Sequence, residues 1–428
     1  MLVVTLINYF SGKKIGSSNS IKEKRRWLYL ALIFSVIPLV YFKYANFFVG
    51  NINSLFKLIN YETSFSYFKV ILPVGISFFT FQALSYSLDV YYNRTQVEKN
   101  IVNFSVFVAF FPQLVAGPIE RSSNLLHQFR KKHTFNKSFF IEGSKLFIWG
   151  LFKKVVIADR LSIYVDRIYE SPELYSGPTL ILATLFFAVQ IYCDFSGYSD
   201  MAIGTARILG FNLMQNFNLP YFASSISDFW KRWHISLSTW FGDYLYRPLG
   251  GNRVNYKRWL INILVVFLVS GFWHGANWTF IAWGLLHALF YFFENWGDKT
   301  LNMLHIYNIK KTKIYNVFKV LSVFTLVSYA WIFFRSNSIS DAFLISNKIF
   351  NSWNEPFYFG ASLITFALSI VVILILVVVQ ILQYKGIFSL YFSKSKMHPS
   401  VEFIWYVILL LGISLLGISS NSFIYFQF

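Results

Sequence analysis

The feature that most limits the fold of this chain is an uncharged, apolar run over residues 362–382. A helix of about 20 apolar residues can cross the hydrocarbon core of a bilayer, which is roughly 30 Å thick. A helix of this length in a soluble protein would carry a polar face, and this run shows none. We therefore predict that it crosses a membrane.

The rest of the chain also has the composition of a membrane protein. Of its 428 residues only 13% are charged, whereas soluble domains carry about 25%. We see no internal repeat of fixed period and no low-complexity segment. We predict an all-α polytopic membrane protein with one domain over residues 1–428. Roughly nine to eleven spans or half-spans are expected, from apolar runs at residues 27–44, 68–92, 101–118, 139–165, 179–192, 259–270, 279–293, 317–334, 362–382 and 401–418.

The net charge of +19 does not require a nucleic-acid partner. The basic residues cluster between the apolar runs, as in residues 22–26, and no nucleic-acid motif accompanies them. Cytoplasmic loops of membrane proteins are enriched in Lys and Arg, so we expect the lipid bilayer as a partner and no nucleic acid. The single cysteine, Cys193, rules out a disulfide framework and a cysteine-based zinc site. We expect no bound metal.

Three apolar segments contain polar or helix-breaking residues. Two prolines and a glycine in residues 111–120 predict a break in the helix. Residues 193–200 hold two aspartates, two serines and a glycine, which predict a broken or re-entrant helix that lines a polar space. The run at residues 139–165 includes Lys153 and Lys154, and we expect it to lie partly at the membrane surface.

His274 is the first candidate for chemistry, because it lies between two strongly apolar runs. A histidine at membrane depth is costly to retain and is therefore a functional candidate. It follows Trp273 and precedes Gly275, which allows another backbone or a substrate to come close. Imidazole, with an ordinary pKa of about 6.5, can take a proton from a hydroxyl and return it to a leaving group. The alternative is a buried structural histidine that bonds a neighbouring helix.

His234 is the second candidate, and we expect it to share one reaction chamber with His274. Ser238 lies four residues after it, on the same face of a helix. The alternative is an interfacial histidine in an aromatic belt with Trp230, Trp233 and Trp240. His287 lies thirteen residues beyond His274; on one continuous helix it would point away from it, so we interpret it as structural.

Cationic residues flank the two candidate histidines. Lys231, Arg232, Arg247 and Arg253 can hold a phosphate-bearing donor at the cytoplasmic face. Anchoring by positive loops on the cytoplasmic side explains each of them equally well. The sequence contains neither a Gly-x-Ser-x-Gly elbow nor a His-Glu-x-x-His motif, so a covalent enzyme intermediate is not indicated.

Six motifs, in this order along the chain, are shared with a known family. They are FPQLVAGPI at residues 111–119, DFSGYSD at 194–200, WKRWHISLSTW at 230–240, DYLYRPLGGNR at 243–253, GFWHGANW at 271–278 and FIYFQF at 423–428. With them the chain resembles the membrane-bound O-acyltransferase family over nearly its whole length. It is most similar to the alginate O-acetyltransferase branch.

The resemblance implies a ring of helices around a thinned centre, with a central tunnel that brings a cytoplasmic acyl donor to an acceptor on the other side. The near-invariant histidine of the family falls on His274, and its second active-site residue falls on His234. His274 would act as general base on the acceptor hydroxyl or would hold the reacting groups in line. Among the residues near these two, we expect the substrate contacts to come from Trp273, Asn277, Ser238, Asp194 and Arg232.

Two positions depart from the family pattern. The family usually has further apolar sequence before the segment at residues 8–12, so the N-terminus looks shortened and the chain is expected to start within a helix. Gly242 stands where the family commonly has arginine before Asp-Tyr. We expect a neighbour such as Arg232 or Arg247 to compensate for the missing cation.

The resemblance therefore implies a bacterial enzyme of the cytoplasmic (inner) membrane that passes acetyl groups outward to a polysaccharide, either alginate-like or peptidoglycan. Acetyl-CoA or a similar thioester is the expected donor, with no tightly bound cofactor. A periplasmic or membrane-anchored acetyltransferase is the expected partner. Two alternatives remain: D-alanyl transfer to teichoic acid, and a transporter or flippase for a polysaccharide precursor. Broken helices with polar groups also suit a transporter, although no inverted repeat is visible.

Overall fold

Helices make up the regular structure of the described residues, with no β-strand among them. The computed structural model describes residues 1–61, 63–115, 117–303, 312–388 and 398–418, with the side chains of residues 298 and 301–303 excepted. The predicted motif at residues 423–428 lies outside these ranges. The α-helices are α1 Leu2–Ser17, α2 Ile21–Leu39, α3 Ala45–Leu58, α4 Ile76–Tyr91, α5 Ile101–Ala109, α6 Phe111–Leu114, α7 Ser122–Leu125, α8 Lys137–Phe152, α9 Asp159–Glu170, α10 Gly177–Ile208, α11 Ile226–Arg232, α12 Ile235–Phe241, α13 Tyr256–His274, α14 Trp278–Met303, α15 Lys313–Arg335, α16 Ile339–Asn351, α17 Leu363–Tyr384 and α18 Pro399–Leu416.

Six helical segments within these ranges are long and apolar enough to cross a membrane: α2–α3 as one segment, α10, α13, α15, α17 and α18. The predicted class, an all-α polytopic membrane protein, is thereby confirmed. The larger number of spans and half-spans counted from the sequence includes α4, which has 16 residues, and α14, which ends in a polar stretch. The ring around a tunnel and the single domain stay predictions. The largest buried apolar cluster extends from Val4 on α1 to Leu409 on α18.

Three helices continue into π-helical turns. α2 passes through Val40–Tyr44 into α3, α8 passes through Lys153–Ala158 into α9, and α12 ends in the turn Gly242–Tyr246. A π-helical turn accommodates an extra residue and so re-aims the side chains that it carries. The first two turns direct lysines towards protein groups.

α10 is the central helix of the molecule and is buried along most of its length. It packs closely against α8 because glycines face each other across the contact. A Cβ atom added to Gly150 would lie 2.6 Å from the carbonyl oxygen of Gly197, and one added to Gly143 would lie 2.5 Å from that of Gly204. Small residues at such contacts let two membrane helices approach backbone to backbone.

The predicted break at residues 193–200 is wrong, because this segment lies within the continuous helix α10. Its polar side chains find partners on the neighbouring π-helical turn and leave the helical backbone intact. Lys154 Nζ lies 2.7 Å from Asp194 Oδ1, and Lys153 Nζ lies 2.7 Å from Asp200 Oδ2. For the same reason these two lysines are buried within the protein. The expectation that residues 139–165 lie partly at the membrane surface stays a prediction.

The predicted break at residues 111–120 is present. α5 ends at Ala109, only the four-residue helix α6 follows it, and residues 117–120 are irregular. The polar and aromatic stretch after α10 folds into the short helices α11 and α12. α13 and α14 then form an adjacent pair joined by residues 275–277, and this junction carries one candidate histidine.

Candidate active site

The structure brings His234 and His274 together. Their ring centroids lie 6.4 Å apart, and both side chains are buried. His274 is the last residue of α13, whereas His234 lies between α11 and α12. The two candidate histidines therefore meet where the end of a candidate span approaches a pair of short helices. That they face one reaction chamber stays a prediction.

The backbone of His234 is held in an unusual conformation. Its φ of 44° and ψ of 54° lie in the left-handed region, which residues other than glycine seldom adopt. Asn216 fixes the residues that follow: its main-chain oxygen accepts from Ile235 N at 2.9 Å, and its Oδ1 accepts from Ser236 Oγ at 2.9 Å. Asn216 Nδ2 in turn donates to Ser199 Oγ on α10 at 3.1 Å. This network ties His234 to the central helix.

Aromatic rings surround both imidazoles. Phe195 meets His234 edge to face, with centroids 4.6 Å apart. Trp273 and Trp283 each meet His274 edge to face at 5.0 Å, and Phe334 does so at 5.4 Å. Such an enclosure keeps water away from the imidazoles and strengthens electrostatic interactions inside it.

Two indole rings next to His274 carry N–H groups without a hydrogen-bond partner in the described part of the chain. Trp273 Nε1 and Trp283 Nε1 are buried, and neither has a hydrogen-bond acceptor among the residues that the structure describes. A buried donor without an acceptor is costly and calls for an explanation.

Asn277, a predicted substrate contact, lines a cavity of about 550 Å³ just beyond His274. Thr279, Asp166 and Arg335 also line it, and Arg335 lies 2.6 Å from Asp166 in an ion pair. Phe280 forms part of the wall and contacts Phe334, which contacts His274. One pair of phenylalanines thus separates this cavity, here called the α14 pocket, from His274.

A second cavity approaches His234 from another side. It measures about 210 Å³ and is lined by Lys153, Asp200, Gln215 and Phe217, among others. Phe217 contacts Phe195 with centroids 5.0 Å apart, and Phe195 contacts His234. We call this cavity the α10 pocket. It too is separated from its histidine by a pair of phenylalanines.

The other three predicted substrate contacts have partners outside this chamber. Asp194 pairs with Lys154, on the α8–α9 side of α10. Arg232 Nε donates to Asp228 at 2.8 Å within α11, and Ser238 Oγ donates to the main-chain oxygen of Trp233 at 3.2 Å. The structure thus places Trp273 beside both histidines and Asn277 at the α14 pocket.

Two arginines lie beside the residue that follows Gly242: Arg247, which we expected, and Arg121, which we did not. That they compensate for the missing cation stays a prediction. Asp243, next to Gly242, lies 3.2 Å from Arg121 and 2.7 Å from Arg247. Arg247 is largely exposed, whereas Arg121 is mostly buried and also stacks on Tyr244. Arg121 therefore supplies the more enclosed cation beside this carboxylate.

His287 lies behind Trp283 and outside the immediate contact of the histidine pair. Trp230 Nε1 donates to His287 Nδ1 at 3.3 Å, and the ring of Trp283 lies between His287 and His274. This placement agrees with a structural role, which stays a prediction.

Several residues of the chamber were missed from the sequence. They are Asn216, Phe195, Trp283 and Phe334, with Lys43 and Tyr44 behind the main chain of His274. The chain contains 50 Phe and 13 Trp residues, so an aromatic residue in an apolar run carries no signal of its own. Lys43, a cation at the end of an apolar run, was the one residue with a visible signal.

Comparison with known proteins yields a consistent set of relatives. Residues 93–336 match the profile of the membrane-bound O-acyltransferase family. The protein named Probable alginate O-acetylase AlgI of Azotobacter vinelandii is 41% identical over 350 residues, which cover 81% of this chain and 68% of that protein. The Peptidoglycan O-acetyltransferase of Helicobacter pylori (strain ATCC 700392 / 26695) is 38% identical over 373 residues, which cover 80% and 68%.

A more distant relative is the Teichoic acid D-alanyltransferase of Bacillus subtilis (strain 168). It is 29% identical over 243 residues, which cover 53% of this chain and 60% of that protein. The matched region spans 63–70% of the length of four alginate O-acetylases. The chain thus corresponds to about two thirds of those proteins.

Proposed function

The chain belongs to the membrane-bound O-acyltransferase family, and from this premise we propose that it transfers acetyl groups across the bacterial inner membrane for O-acetylation of a polysaccharide. The observation that carries the proposal is the buried pair of His234 and His274, with one pocket two phenylalanine rings away from each member. A direct transfer needs one histidine within reach of two substrates that arrive from opposite sides.

The charge distribution assigns the two sides. The Lys- and Arg-rich segments at residues 22–26, 130–132 and 257–258 lie before or between the spanning helices. The positive-inside rule makes them cytoplasmic. α13 begins next to residues 257–258 and ends at His274, so the α14 pocket opens to the outer face. The α10 pocket is lined by Gln215 and Phe217, which follow the C-terminal end of α10 in the chain. This end lies on the same side as the start of α13, so the pocket faces the cytoplasm.

In the proposed reaction, the acceptor hydroxyl enters by the α14 pocket and the thioester by the α10 pocket. His274 takes the proton of the hydroxyl as its oxygen attacks the thioester carbonyl carbon. A C–O bond forms, the C–S bond breaks, and the thiolate leaves with the proton that His274 returns. The indole N–H groups of Trp273 and Trp283 supply donors for the negative charge on the carbonyl oxygen. His234 orients the thioester.

Acetyl-CoA or a related thioester is the proposed donor, and no tightly bound cofactor is required for this chemistry. The proposed acceptor is an alginate-like polymer or peptidoglycan, since relatives with names of both kinds are about 40% identical. A periplasmic or membrane-anchored acetyltransferase is the proposed partner, and it would receive the acetyl group at the outer face. This partner rests on the family resemblance alone.

The first test measures ester-linked acetate on the surface polymer of a deletion strain. The strain carries wild type, His274→Ala, His234→Ala or the control His127→Ala, at matched membrane levels. His127 is an exposed loop histidine, so its variant should retain normal acetate. We expect His274→Ala to reduce acetate at least 100-fold, since general-base catalysis contributes 10²–10⁴-fold.

Normal acetate with His274→Ala would refute the acyltransferase mechanism and favour the transporter alternative, for which precursor flipping is the next assay. Loss of ester-linked D-alanine in place of acetate in the deletion strain would instead favour the D-alanyl alternative. The same extract serves both measurements, because mild base releases either ester.

A further inference from the structure

The end of the helix that carries His274 is bound by side chains from a single π-helical turn. Lys43 Nζ donates to the main-chain oxygen of His274 at 2.7 Å and to that of Trp273 at 2.8 Å. Tyr44 Oη donates to the main-chain oxygen of Phe272 at 2.8 Å. Two consecutive residues thus bind the last three carbonyl groups of α13.

These carbonyl groups need partners. The last four carbonyl groups of an α-helix have no partner within the helix, and the aligned peptide dipoles place a partial negative charge there. The positive charge of a lysine ammonium complements this partial negative charge, and the stabilisation is larger at a buried site than at an exposed one. Within the described residues we find no carboxylate paired with Lys43. Its positive charge is therefore directed at the end of α13.

The π-helical turn accounts for the position of Lys43. The turn at Val40–Tyr44 interrupts the regular repeat between α2 and α3, so that both consecutive side chains reach α13. The ring of Tyr44 stacks on that of Phe272 with centroids 4.2 Å apart. The ammonium of Lys43 lies 5.9 Å from the ring centroid of Trp273. The contact therefore involves side chains as well as the main chain.

We propose that Lys43 is a positioning residue for His274, and this inference rests on the function proposed above. Lys43 touches no reacting atom; it fixes the main chain at the point where α13 ends and residues 275–277 turn into α14. Without it, the last turn of α13 loses a cation and two hydrogen bonds, and the imidazole moves relative to the substrates. A displacement of about 1 Å in a catalytic group can cost on the order of 100-fold in rate.

The experiment compares Lys43→Met, Lys43→Arg and Tyr44→Phe with a control, Lys145→Met. Lys145 lies on α8 and pairs with Glu402 on α18, at 2.7 Å. Acetyl transfer is measured in detergent-solubilised membranes of the native host, which expose both faces to acetyl-CoA as donor and a soluble oligosaccharide as acceptor and retain the proposed partner. We expect Lys43→Met to lower kcat about 10- to 100-fold with KM for the donor changed less than 2-fold.

The matched variants separate positioning from a general loss of structure. Lys43→Arg keeps the cation and should recover most of kcat, while Tyr44→Phe removes one hydrogen bond and should lower kcat less than 10-fold. Lys145→Met should behave as wild type. In a His274→Ala background, Lys43→Met should cause no further loss, because groups that act through one another are not additive.

Amide hydrogen exchange tests the contact between Lys43 and the end of α13 even if no acetyl transfer is detected. Lys43→Met should accelerate exchange at residues 270–275 and leave α17 as in wild type. Wild-type kcat in Lys43→Met, or equal losses in the Met and Arg variants, would overturn the positioning role. An inactive wild type would refute the proposed function instead, and unchanged exchange at residues 270–275 would then separately refute the contact with Lys43.

Discussion

At the scale of single residues, the backbone conformation of His234 has a cost in free energy. A left-handed conformation costs a residue with a side chain roughly 1–2 kcal/mol, and His234 adopts it with φ 44°. The hydrogen bonds of Asn216 to Ile235 and Ser236 hold it there. Strained residues of this kind persist where the surroundings over-determine them and are concentrated at active sites.

Comparing two substitutions at this position measures the strain. His234→Ala and His234→Gly both remove the imidazole, but only glycine adopts the left-handed conformation without cost. We expect His234→Gly to unfold at a higher temperature than His234→Ala in detergent, by a difference equivalent to about 1 kcal/mol. Both variants should have little activity. Equal melting temperatures would mean that the backbone at this position relaxes in the variants and that no strain is stored.

The predictability of the site from sequence follows from residue type. His234 and His274 stand out because ionisable groups are rare in apolar runs. Arg232 and Ser238 have equally polar side chains, yet each hydrogen-bonds a residue four or five positions earlier in the chain. The sequence cannot distinguish a polar group that a local partner satisfies from one that faces a substrate. Trp283 and Phe334 are among many aromatic residues and gave no signal at all.

At the scale of elements, the contact of α8 with α10 decides where the buried charges lie. Gly150 faces Gly197 and Gly143 faces Gly204, so the π-helical turn after α8 comes close enough for Lys153 to reach Asp200. A buried charge without its partner is strongly destabilising, by about 3–5 kcal/mol. The ion pairs therefore need the close approach that the glycines allow, and the close approach in turn needs the ion pairs to neutralise the buried charges.

A larger residue at this contact should disrupt both. We expect Gly150→Leu to force α8 away from α10, break the ion pair of Lys153 with Asp200, and lower the amount of folded protein in the membrane several-fold. The control is Gly297→Leu on α14, where a Cβ atom meets nothing within 4 Å. Size-exclusion profiles of fluorescent fusions measure both variants. A normal, monodisperse profile for Gly150→Leu would show that the two helices do not need this close approach.

The break predicted at residues 193–200 was wrong because its polar side chains have distant partners. Residues 193–200 are too polar for a membrane helix when considered alone, and the same is true of Lys153 and Lys154. The lysines of one segment form ion pairs with the aspartates of the other. The two segments lie about 40 residues apart in the chain, whereas hydropathy is evaluated one segment at a time. The break at residues 111–120 was predictable because proline acts through its own backbone and needs no distant partner.

At the scale of the whole molecule, the proposed function depends on which way the chain crosses the membrane. The histidine pair lies between the α10 pocket and the α14 pocket, each beyond a pair of phenylalanines. If the Lys- and Arg-rich segments are cytoplasmic, a donor made in the cytoplasm and an acceptor outside it reach the same pair from different pockets. Reversed insertion would exchange the pockets.

Cysteine labelling in intact cells tests this orientation with little background, because the native Cys193 is buried within α10. We expect a membrane-impermeant maleimide to label Asn337→Cys, at the rim of the α14 pocket, in intact cells. Lys257→Cys, at the start of α13, should react only after the membrane is permeabilised. Wild type is the control and should stay unlabelled in both conditions. The opposite pattern would place the α14 pocket in the cytoplasm; the thioester would then have to enter beside His274, and the assignment of His274 as base on the acceptor hydroxyl would be wrong.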